Sequence, residues 1–543
     1  MKDSLIKIIE NSFRESWDRP AFTDYGSNLT YKYSDVAIRI SFIHSLFEEL
    51  SIKPGDKVAI CDKNSSNWAI AMLATITYRA VAVPLLPDYS EKQLVDLCEH
   101  CDAKFMIGAR KLAKLWPENN CPMYLIDISD LLAMNPSSFT DDTEERAFRR
   151  YFKKYPVEYS IDNLCYEAEN PDDMMLLSYT SGSTGNPKGV MLSYASILSN
   201  NRFCIKMHDW FYKDFFIVMP MAHMFGFTCD FLSAVVYQAH LFFLTTVPAP
   251  SVLMKAFKEI KPSVFLCVPI VMEKIVKGKV KPVMETPRIR RMLKIPVLRQ
   301  VICSKIRTQL LDAFGGNLDV VIMGGAALHN DVDDVLKMIR FPYCIGYGMT
   351  ECGPLITFSY SGKTRHGSCG QAVQNMEVKI LSPDPQNQPG EIIARGANVM
   401  QGYYKNPTAT EESIDADGWL HTGDLGVMDS DGYLYIRGRK KNMILSSNGQ
   451  NVYPEEAEDQ VVTHSLFEEC VVTQRNGKLI ALVYASDSTL KKLGMRREDI
   501  DLESIRKEIN AHLPKYCQLS QLEQRDVEFE KTPKKSIKRF LYT

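Results

Sequence analysis

Short, uniformly apolar runs alternate with helix-period patterns through roughly the first 430 residues. Lys57-Val-Ala-Ile60, Ala82-Val-Pro-Leu85, Phe105-Met-Ile107, Met123-Tyr-Leu-Ile126 and Val320-Val-Ile-Met323 read as strands. Residues 68–78 and 91–100 carry apolar side chains at helical spacing between them. Strands that are apolar on both faces need cover on both, so the alternation predicts an α/β architecture of helix-covered, mostly parallel sheets. After about residue 370 the texture shifts to short strands and turns: Glu377-Val-Lys-Ile380, Glu391-Ile-Ile-Ala394 and Gly432-Tyr-Leu-Tyr-Ile436. That predicts a small, barrel-like antiparallel β subdomain over about 370–438. The final hundred residues carry strands at 470–473 and 479–484, and a helix in which Leu502, Ile505, Ile509 and Leu513 share a face. A small, mobile α+β domain is therefore expected to follow the large one. The polar, basic Arg437-Gly-Arg-Lys-Lys-Asn442 marks the seam, dividing the chain into residues 1–438 and 439–543.

Composition changes this picture little. A chain of 543 residues exceeds one core, and 45% hydrophobic with 24% charged residues is ordinary for a soluble globular protein. A net charge of −2 gives no reason to expect a nucleic-acid partner. Met1-Lys-Asp-Ser-Leu-Ile-Lys-Ile-Ile-Glu10 has charges where a signal peptide needs an unbroken apolar stretch, and reads as the start of an amphipathic helix. The most apolar region, residues 215–247, is interrupted by Pro220, His223, Asp230 and His240, which favours buried strand and helix over a membrane span. With neither signal nor span, the expected location is cytoplasmic. The 14 cysteines are scattered, as free thiols of a reducing compartment would be. Cys98 and Cys101 have CxxC spacing, but no second pair follows at zinc-site spacing and both lie in an amphipathic pattern with Leu94, Val95 and Leu97. They read as packing residues.

One stretch stands apart. Residues 274–307 are strongly basic with Glu285 the only acid, and Arg288, Arg290, Arg291, Lys294 and Arg299 interleave with Ile289, Leu293, Ile295 and Leu298. Two readings hold: a solvated helix face with a loop, the commoner use of such a run, or a peripheral contact with anionic lipid.

Candidate chemistry begins at Tyr179-Thr-Ser-Gly-Ser-Thr-Gly-Asn-Pro-Lys-Gly-Val190, which packs hydroxyls, glycines and one lysine between two apolar runs. Glycines admit an anion close to the backbone, and N–H and hydroxyl donors can surround phosphate oxygens. By composition alone a plain surface turn competes with that reading. A Walker A loop is excluded, because the Gly-Lys-Ser/Thr ending and the helix start are missing. Downstream, Ile345-Gly-Tyr-Gly-Met-Thr-Glu-Cys-Gly-Pro354 sets an aromatic face, a hydroxyl and a carboxylate close together. These suit a base, an α-phosphate and Mg²⁺ in turn. Asp417-Gly-Trp-Leu-His-Thr-Gly-Asp424 supplies a carboxylate after a tight turn, able to grip a ribose diol, and Arg439 is a second candidate for the same diol. No nucleophile elbow with Ser, His and Asp occurs.

In order and joint presence these segments resemble those of the adenylate-forming superfamily of acyl- and aryl-CoA synthetases, luciferases and peptide-synthetase adenylation domains. The likeness runs from Leu29-Thr-Tyr31 and Pro54-Gly-Asp-Lys-Val58 to Lys531-Thr-Pro533, through Gly390-Glu-Ile-Ile-Ala-Arg-Gly396, Gly402-Tyr-Tyr404 and Thr422-Gly-Asp424. The resemblance implies roles. Thr180, Ser181, Ser183, Thr184 and Lys188, with Gly182 and Gly185 of the same loop, would surround the β- and γ-phosphates of ATP. Gly325, Ala326, Ala327, Tyr347 and Gly348 would line the adenine and acyl pocket. Thr350 would touch the α-phosphate, and Glu351 with Thr184 would hold Mg²⁺. Asp424 and Arg439 would bind the ribose. His223 would stand at the carboxylate pocket, although taken alone it reads as a packed core residue. Rotation of the C-terminal domain about Lys441 would bring Ser447-Asn-Gly449-Gln-Asn-Val452 to the thiol of CoA.

Within the superfamily, residues 417–442 look most like fatty acyl-CoA synthetases. The expected reaction is ATP-dependent activation of a medium- or long-chain fatty acid to an acyl-adenylate, then transfer to CoA with release of AMP and pyrophosphate. With little chain after Lys531-Thr-Pro533, a fused carrier-protein domain is not expected. Two alternatives stand beside this: transfer to a separate acyl carrier protein, and a nucleotide- or acyl-binding homologue with weak adenylation activity. The second rests on a departure from the family, which ends in Pro-x-x-Gly-Lys-x-x-Arg with a lysine that contacts the reacting carboxylate and α-phosphate. Here Thr532-Pro-Lys-Lys-Ser-Ile-Lys-Arg-Phe540 puts Ser536 in the lysine's place, and Lys535 or Lys538 is the expected substitute.

Overall fold

Strands form where the apolar runs predict them, with boundaries shifted by a residue or two. The computed structural model describes residues 4–27, 29–116, 123–129, 143–156, 158–180, 187–207, 210–445, 451–464, 466–531 and 537–542. Among these, a seven-stranded sheet runs in the order Gly402–Tyr403, Lys188–Ser193, Met174–Thr180, Val81–Leu85, Lys57–Cys61, Phe105–Gly108 and Tyr124–Asp127. Pairing is parallel from Met174–Thr180 to Tyr124–Asp127, whereas Lys188–Ser193 and Gly402–Tyr403 join antiparallel. Val81–Leu85 is buried at every position, as expected of a parallel strand covered on both faces. The helix Ser66–Thr77 is apolar nearly all round and buried nearly all round, and the hydroxyl of Ser65 caps it by accepting from the Trp68 N–H.

A nine-stranded sheet runs in the order Gln371–Ala372, Leu355–Ser359, Tyr343–Gly348, Val320–Met323, Val264–Cys267, Asp214–Ile217, His240–Phe243, Pro20–Asp24 and Thr30–Lys32. Its centre is parallel and both margins are antiparallel. The apolar region 215–247 thus folds as two central strands flanking a π-helical stretch, Phe225–Leu232, and the short helix Ser233–Val236. No helix among the described residues is long and apolar enough to cross a membrane.

The β-rich region is an antiparallel sheet of Met376–Leu381, Gly390–Gly396, Leu420–Met428 and Leu434–Arg439, in that order. Beyond it, Glu469–Arg475, Lys478–Tyr484 and Gln521–Arg525 form a three-stranded sheet packed by the helices Pro454–Thr463 and Leu502–Ala511. The larger apolar core extends to Leu434 and a separate one begins at Val452, on either side of the basic seam. Leu513, expected on the same helix face, lies past the end of the observed helix Leu502–Ala511, yet is buried with Ile509 in that second core.

Candidate active site

The strands Met174–Thr180 and Lys188–Ser193 form a hairpin that pairs Thr180 with Lys188 and Tyr179 with Gly189. The expected phosphate-binding residues Ser181, Gly182, Ser183, Thr184 and Gly185 lie outside the described residues. Gly402–Tyr403 adds to the free edge of this hairpin, Tyr403 opposite Val190. That pairing has a consequence the sequence does not announce. The Tyr403 ring stacks beneath the Lys188 ammonium, 4.7 Å from Nζ to the ring centroid. Its hydroxyl donates to Glu351 Oε1 at 2.8 Å. Tyr403 therefore joins a cation and a buried carboxylate from two distant motifs. Burial, and next the Glu351 charge, push its phenol up, so at neutral pH the hydroxyl stays a donor.

Glu351 sits on a tight 3₁₀ turn, Thr350–Cys352, and is 8% exposed. The turn is held from both sides by buried amides. Asn200 donates from Nδ2 to the Cys352 carbonyl at 3.0 Å and accepts from the Leu355 N–H at 2.9 Å. Asn398 donates to the Leu355 carbonyl at 2.8 Å, and the Met400 N–H donates to the Glu351 carbonyl. Gly348 is required where the chain enters the turn, since a Cβ there would lie 1.9 Å from the Pro354 carbonyl oxygen. Thr350 is half-buried at the start of the turn.

Four residues before Glu351, buried Tyr347 donates from its hydroxyl to Asp424 Oδ2 at 2.8 Å. Strand pairing sets Asp424 opposite Arg439, whose Nε lies 2.8 Å from Oδ1. Burial pushes the Asp424 carboxyl up, and the Arg439 guanidinium and the Tyr347 hydroxyl pull against it. A carboxylate offers about four lone-pair sites, so Asp424 keeps room to accept further hydrogen bonds. The seam begins here. Lys440 reaches back to Glu391 at 2.9 Å, and burial followed by the Arg439 charge lowers the Lys441 ammonium. Burial raises the Glu391 carboxyl, but Lys440 and His421 more than offset it and hold it below the ordinary range.

The pocket wall comes from three elements. A Cβ on Gly324 would lie 3.3 Å from both the Gly346 carbonyl oxygen and the Phe225 ring, so the strand end, the 343–348 strand and the π-helical stretch touch there. Gly325, Ala326 and Ala327 are exposed on the loop that follows. His223 is half-buried just ahead of Phe225; its carbonyl accepts from the Phe227 N–H and its N–H donates to the Pro220 carbonyl, which locks the turn. Behind Phe225 and Gly346 lies an apolar cavity of about 10 Å³ whose walls include Cys229, Ile322, Leu355 and Phe358.

Other expected residues are placed elsewhere. Lys538 pairs with Glu530 at 3.3 Å, and its neighbour Arg539 pairs with Glu458, so neither reaches Glu351 or Thr350 in this conformer. Lys535, Ser536 and Gly449 lie outside the described residues. Cys98 and Cys101 are buried at the end of the helix Glu91–His100. That helix end packs on the site, because His100 Nδ1 lies 2.7 Å from the Tyr179 hydroxyl.

The donor set fits Mg²⁺ with a nucleotide. Glu351 commits one oxygen to Tyr403, and no other described side chain bonds its second oxygen, which is free for a hard cation. Sequence reasoning missed Tyr403, Asn200 and Asn398. Gly402-Tyr-Tyr404 is visible as a motif, but nothing local says that its tyrosine spans Lys188 and Glu351.

The sequence matches the model of the AMP-binding enzyme family over residues 9–404. It is 29% identical over 485 residues to 4-coumarate–CoA ligase 1 of Arabidopsis thaliana, covering 85% of this chain and 79% of that protein. It is 27% identical over 494 residues to a long-chain-fatty-acid–CoA ligase of Escherichia coli, covering 86% and 82%. In fold it is similar to O-succinylbenzoate coenzyme A synthetase from Bacillus subtilis solved with ATP and a magnesium ion, with a TM-score of 0.75, 19% identity and 98% of each chain covered.

Proposed function

The chain belongs to the AMP-binding enzyme family and is an adenylate-forming CoA ligase; from that premise we propose that its substrate is a medium- or long-chain fatty acid. The supporting observation is the join of two clusters by one short turn: Lys188, Tyr403 and Glu351 on one side, Tyr347, Asp424 and Arg439 on the other. The first offers a cation for phosphate oxygens and a carboxylate for a metal. The second offers an aromatic wall and a diol-binding acid.

A carboxylate is a poor electrophile because its oxygen is a poor leaving group. Its oxygen attacks the α-phosphorus of ATP, the bond to the bridging oxygen breaks, and pyrophosphate leaves with that electron pair. CoA then attacks the acyl carbon as thiolate, and AMP departs. In this reading Lys188, Thr180 and the loop that follows neutralise charge on the β- and γ-phosphates, and Thr350 donates to the α-phosphate. Glu351 and Thr184 would hold Mg²⁺, which supplies further neutralisation when bound with the nucleotide. Asp424 and Arg439 orient the ribose; Tyr347, Gly348, Gly325, Ala326 and Ala327 flank the base and the acyl entrance, with His223 beside them. Lys441 is the hinge about which the 449 loop swings to admit CoA, and Lys535 or Lys538 arrives by the same motion for adenylation.

The likeness of residues 417–442 to fatty acyl-CoA synthetases, together with the similarity to a long-chain-fatty-acid–CoA ligase, supports a fatty acid over an aryl acid. CoA consumption across saturated fatty acids of increasing length, with 4-coumarate and benzoate alongside, tests this. Turnover of the aryl acids without turnover of any fatty acid would remove the fatty-acid reading while leaving the ligase intact. Supplying acyl carrier protein in place of CoA decides the acceptor. Absence of pyrophosphate exchange with every acid would instead favour a nucleotide- or acyl-binding homologue.

A further inference from the structure

Residues 274–307 hold eleven lysines and arginines and one glutamate, in a chain whose net charge is −2. The sequence pattern places Ile289, Leu293, Ile295 and Leu298 as the apolar complement. The structure turns out a set that shares only Ile295 with it. The segment folds as successive helices, Pro287–Met292 and Pro296–Ala313 among them, and Pro296 resets the helical phase. Ile295, Val297 and Val301 are left 51%, 71% and 62% exposed. Val297 and Val301 stand one turn apart on the same helical face, and Ile295 lies at its start. Around this tip, Arg288, Arg290, Arg291, Lys294 and Lys305 form no ion pair with any described residue.

We propose that this tip is a docking surface for an anionic lipid bilayer. Unpaired cations are drawn to an anionic interface, and branched aliphatic side chains at its centre gain by entering the boundary between headgroups and acyl chains. An acidic protein would match the charge but would give three solvent-exposed aliphatic side chains nothing to enter. The connection to the site is short. Val268 Cγ1 lies 3.8 Å from where a Cβ on Gly325 would be, and the helix Pro269–Ile275 leads from there directly into the basic segment. The tip is thus tied to the pocket wall through successive helices joined by short turns at 285–286 and 293–295. The attachment is peripheral and holds whichever carboxylic acid the enzyme activates.

Co-sedimentation of the full chain with phosphatidylcholine vesicles, with and without one-third phosphatidylglycerol, tests the proposal. Binding is expected only to the anionic vesicles and is expected to fade at high salt. Each basic residue at such a surface contributes about fivefold, so Arg290→Gln with Arg291→Gln weakens binding by about thirtyfold. Val297→Ser with Val301→Ser, which leaves the charge unchanged, weakens it by about tenfold. All four side chains are exposed, so melting temperature and CoA consumption in detergent-solubilised substrate stay near wild type in both variants. No binding to anionic vesicles at low salt overturns the proposal, as does undiminished binding by the serine variant. Capture of an acidic carrier protein, with no affinity for vesicles, overturns it in favour of a protein partner.

Discussion

Replacing Tyr403 by Phe deletes one oxygen from the site and keeps the ring under Lys188. In the wild-type chain that oxygen donates to Glu351 Oε1 at 2.8 Å, while the ring centroid stays 4.7 Å from Lys188 Nζ. Glu351 is 8% exposed, so water replaces the lost donor poorly. A hydrogen bond to a charged group contributes about 1.5–3 kcal/mol, which corresponds to a factor of about 10 to 150 in whichever step depends on that carboxylate. A side chain that orients a metal-binding carboxylate typically carries about 10- to 100-fold in metal affinity or activity, which agrees. We expect kcat/KM for Mg·ATP in pyrophosphate exchange to fall within that range in Tyr403→Phe, with more Mg²⁺ needed for half-maximal exchange and little change in Tm. Because Tyr403 is argued to act through Glu351, the two substitutions must be strongly non-additive: in a Glu351→Gln background, Tyr403→Phe costs less than about twofold. A Tyr403→Phe enzyme within twofold of wild type, or one whose full defect persists beside Glu351→Gln, would falsify the reasoning.

Asn200→Ala strips the partners from the Cys352 carbonyl and the Leu355 N–H, each a buried group costing about 1–3 kcal/mol when unpaired, so Tm drops and exchange falls more than tenfold. An unchanged melting curve would count against the amide as the turn's support. Asp230 is fully buried with neither carboxylate oxygen bonded to a described residue, and burial pushes its carboxyl well above the usual range. The native state then keeps a proton that the unfolded chain gives up, so stability falls as pH rises above the ordinary 3.8 toward the folded value. Asp230→Leu stabilises the neutral-pH protein by about 1–3 kcal/mol and flattens that slope; a lower Tm refutes this. His329 stands between Glu273 and Asp459, with Lys277 nearby, and ties the helix Pro269–Ile275 to the helix Pro454–Thr463. Burial lowers its pKa, but the two acids outweigh it and the net shift is upward. The contact is therefore fully present below the ordinary 6.5 and is lost as pH rises through the folded value. Amide exchange of residues 454–463 speeds up over that window, and His329→Gln abolishes the pH dependence if the assignment is right.

Much of the scaffold is legible because buried parallel strands and covering helices are each written in one local period. Val81–Leu85, Val320–Met323 and Glu91–His100 need only their own residues to be found. The candidate site is legible where a motif brings its own chemistry, as with Lys188, Glu351 and Asp424. It is not legible where chemistry comes from pairing. Tyr403 acquires its role only because Gly402 and Tyr403 pair with Met191 and Val190, segments far apart in the chain. Asn200 and Asn398 look like ordinary polar residues until the 350–355 turn closes on them. The exposed Val297 and Val301 escape a periodicity argument for a different reason, since the helix restarts at Pro296 and the preceding phase no longer applies.

These cases have a common physical basis, and it bears on how the site is kept. A loop rich in glycine and hydroxyls has little packing of its own to fix it. The base of this one is fixed on both sides of the hairpin: Tyr179 is held by His100, and Lys188 lies on Tyr403, which in turn holds Glu351. Lys188 and Glu351, the proposed phosphate and metal groups, are thereby set at one separation by a side chain that belongs to neither of their segments. Pre-organisation of that kind lowers the ordering cost of binding.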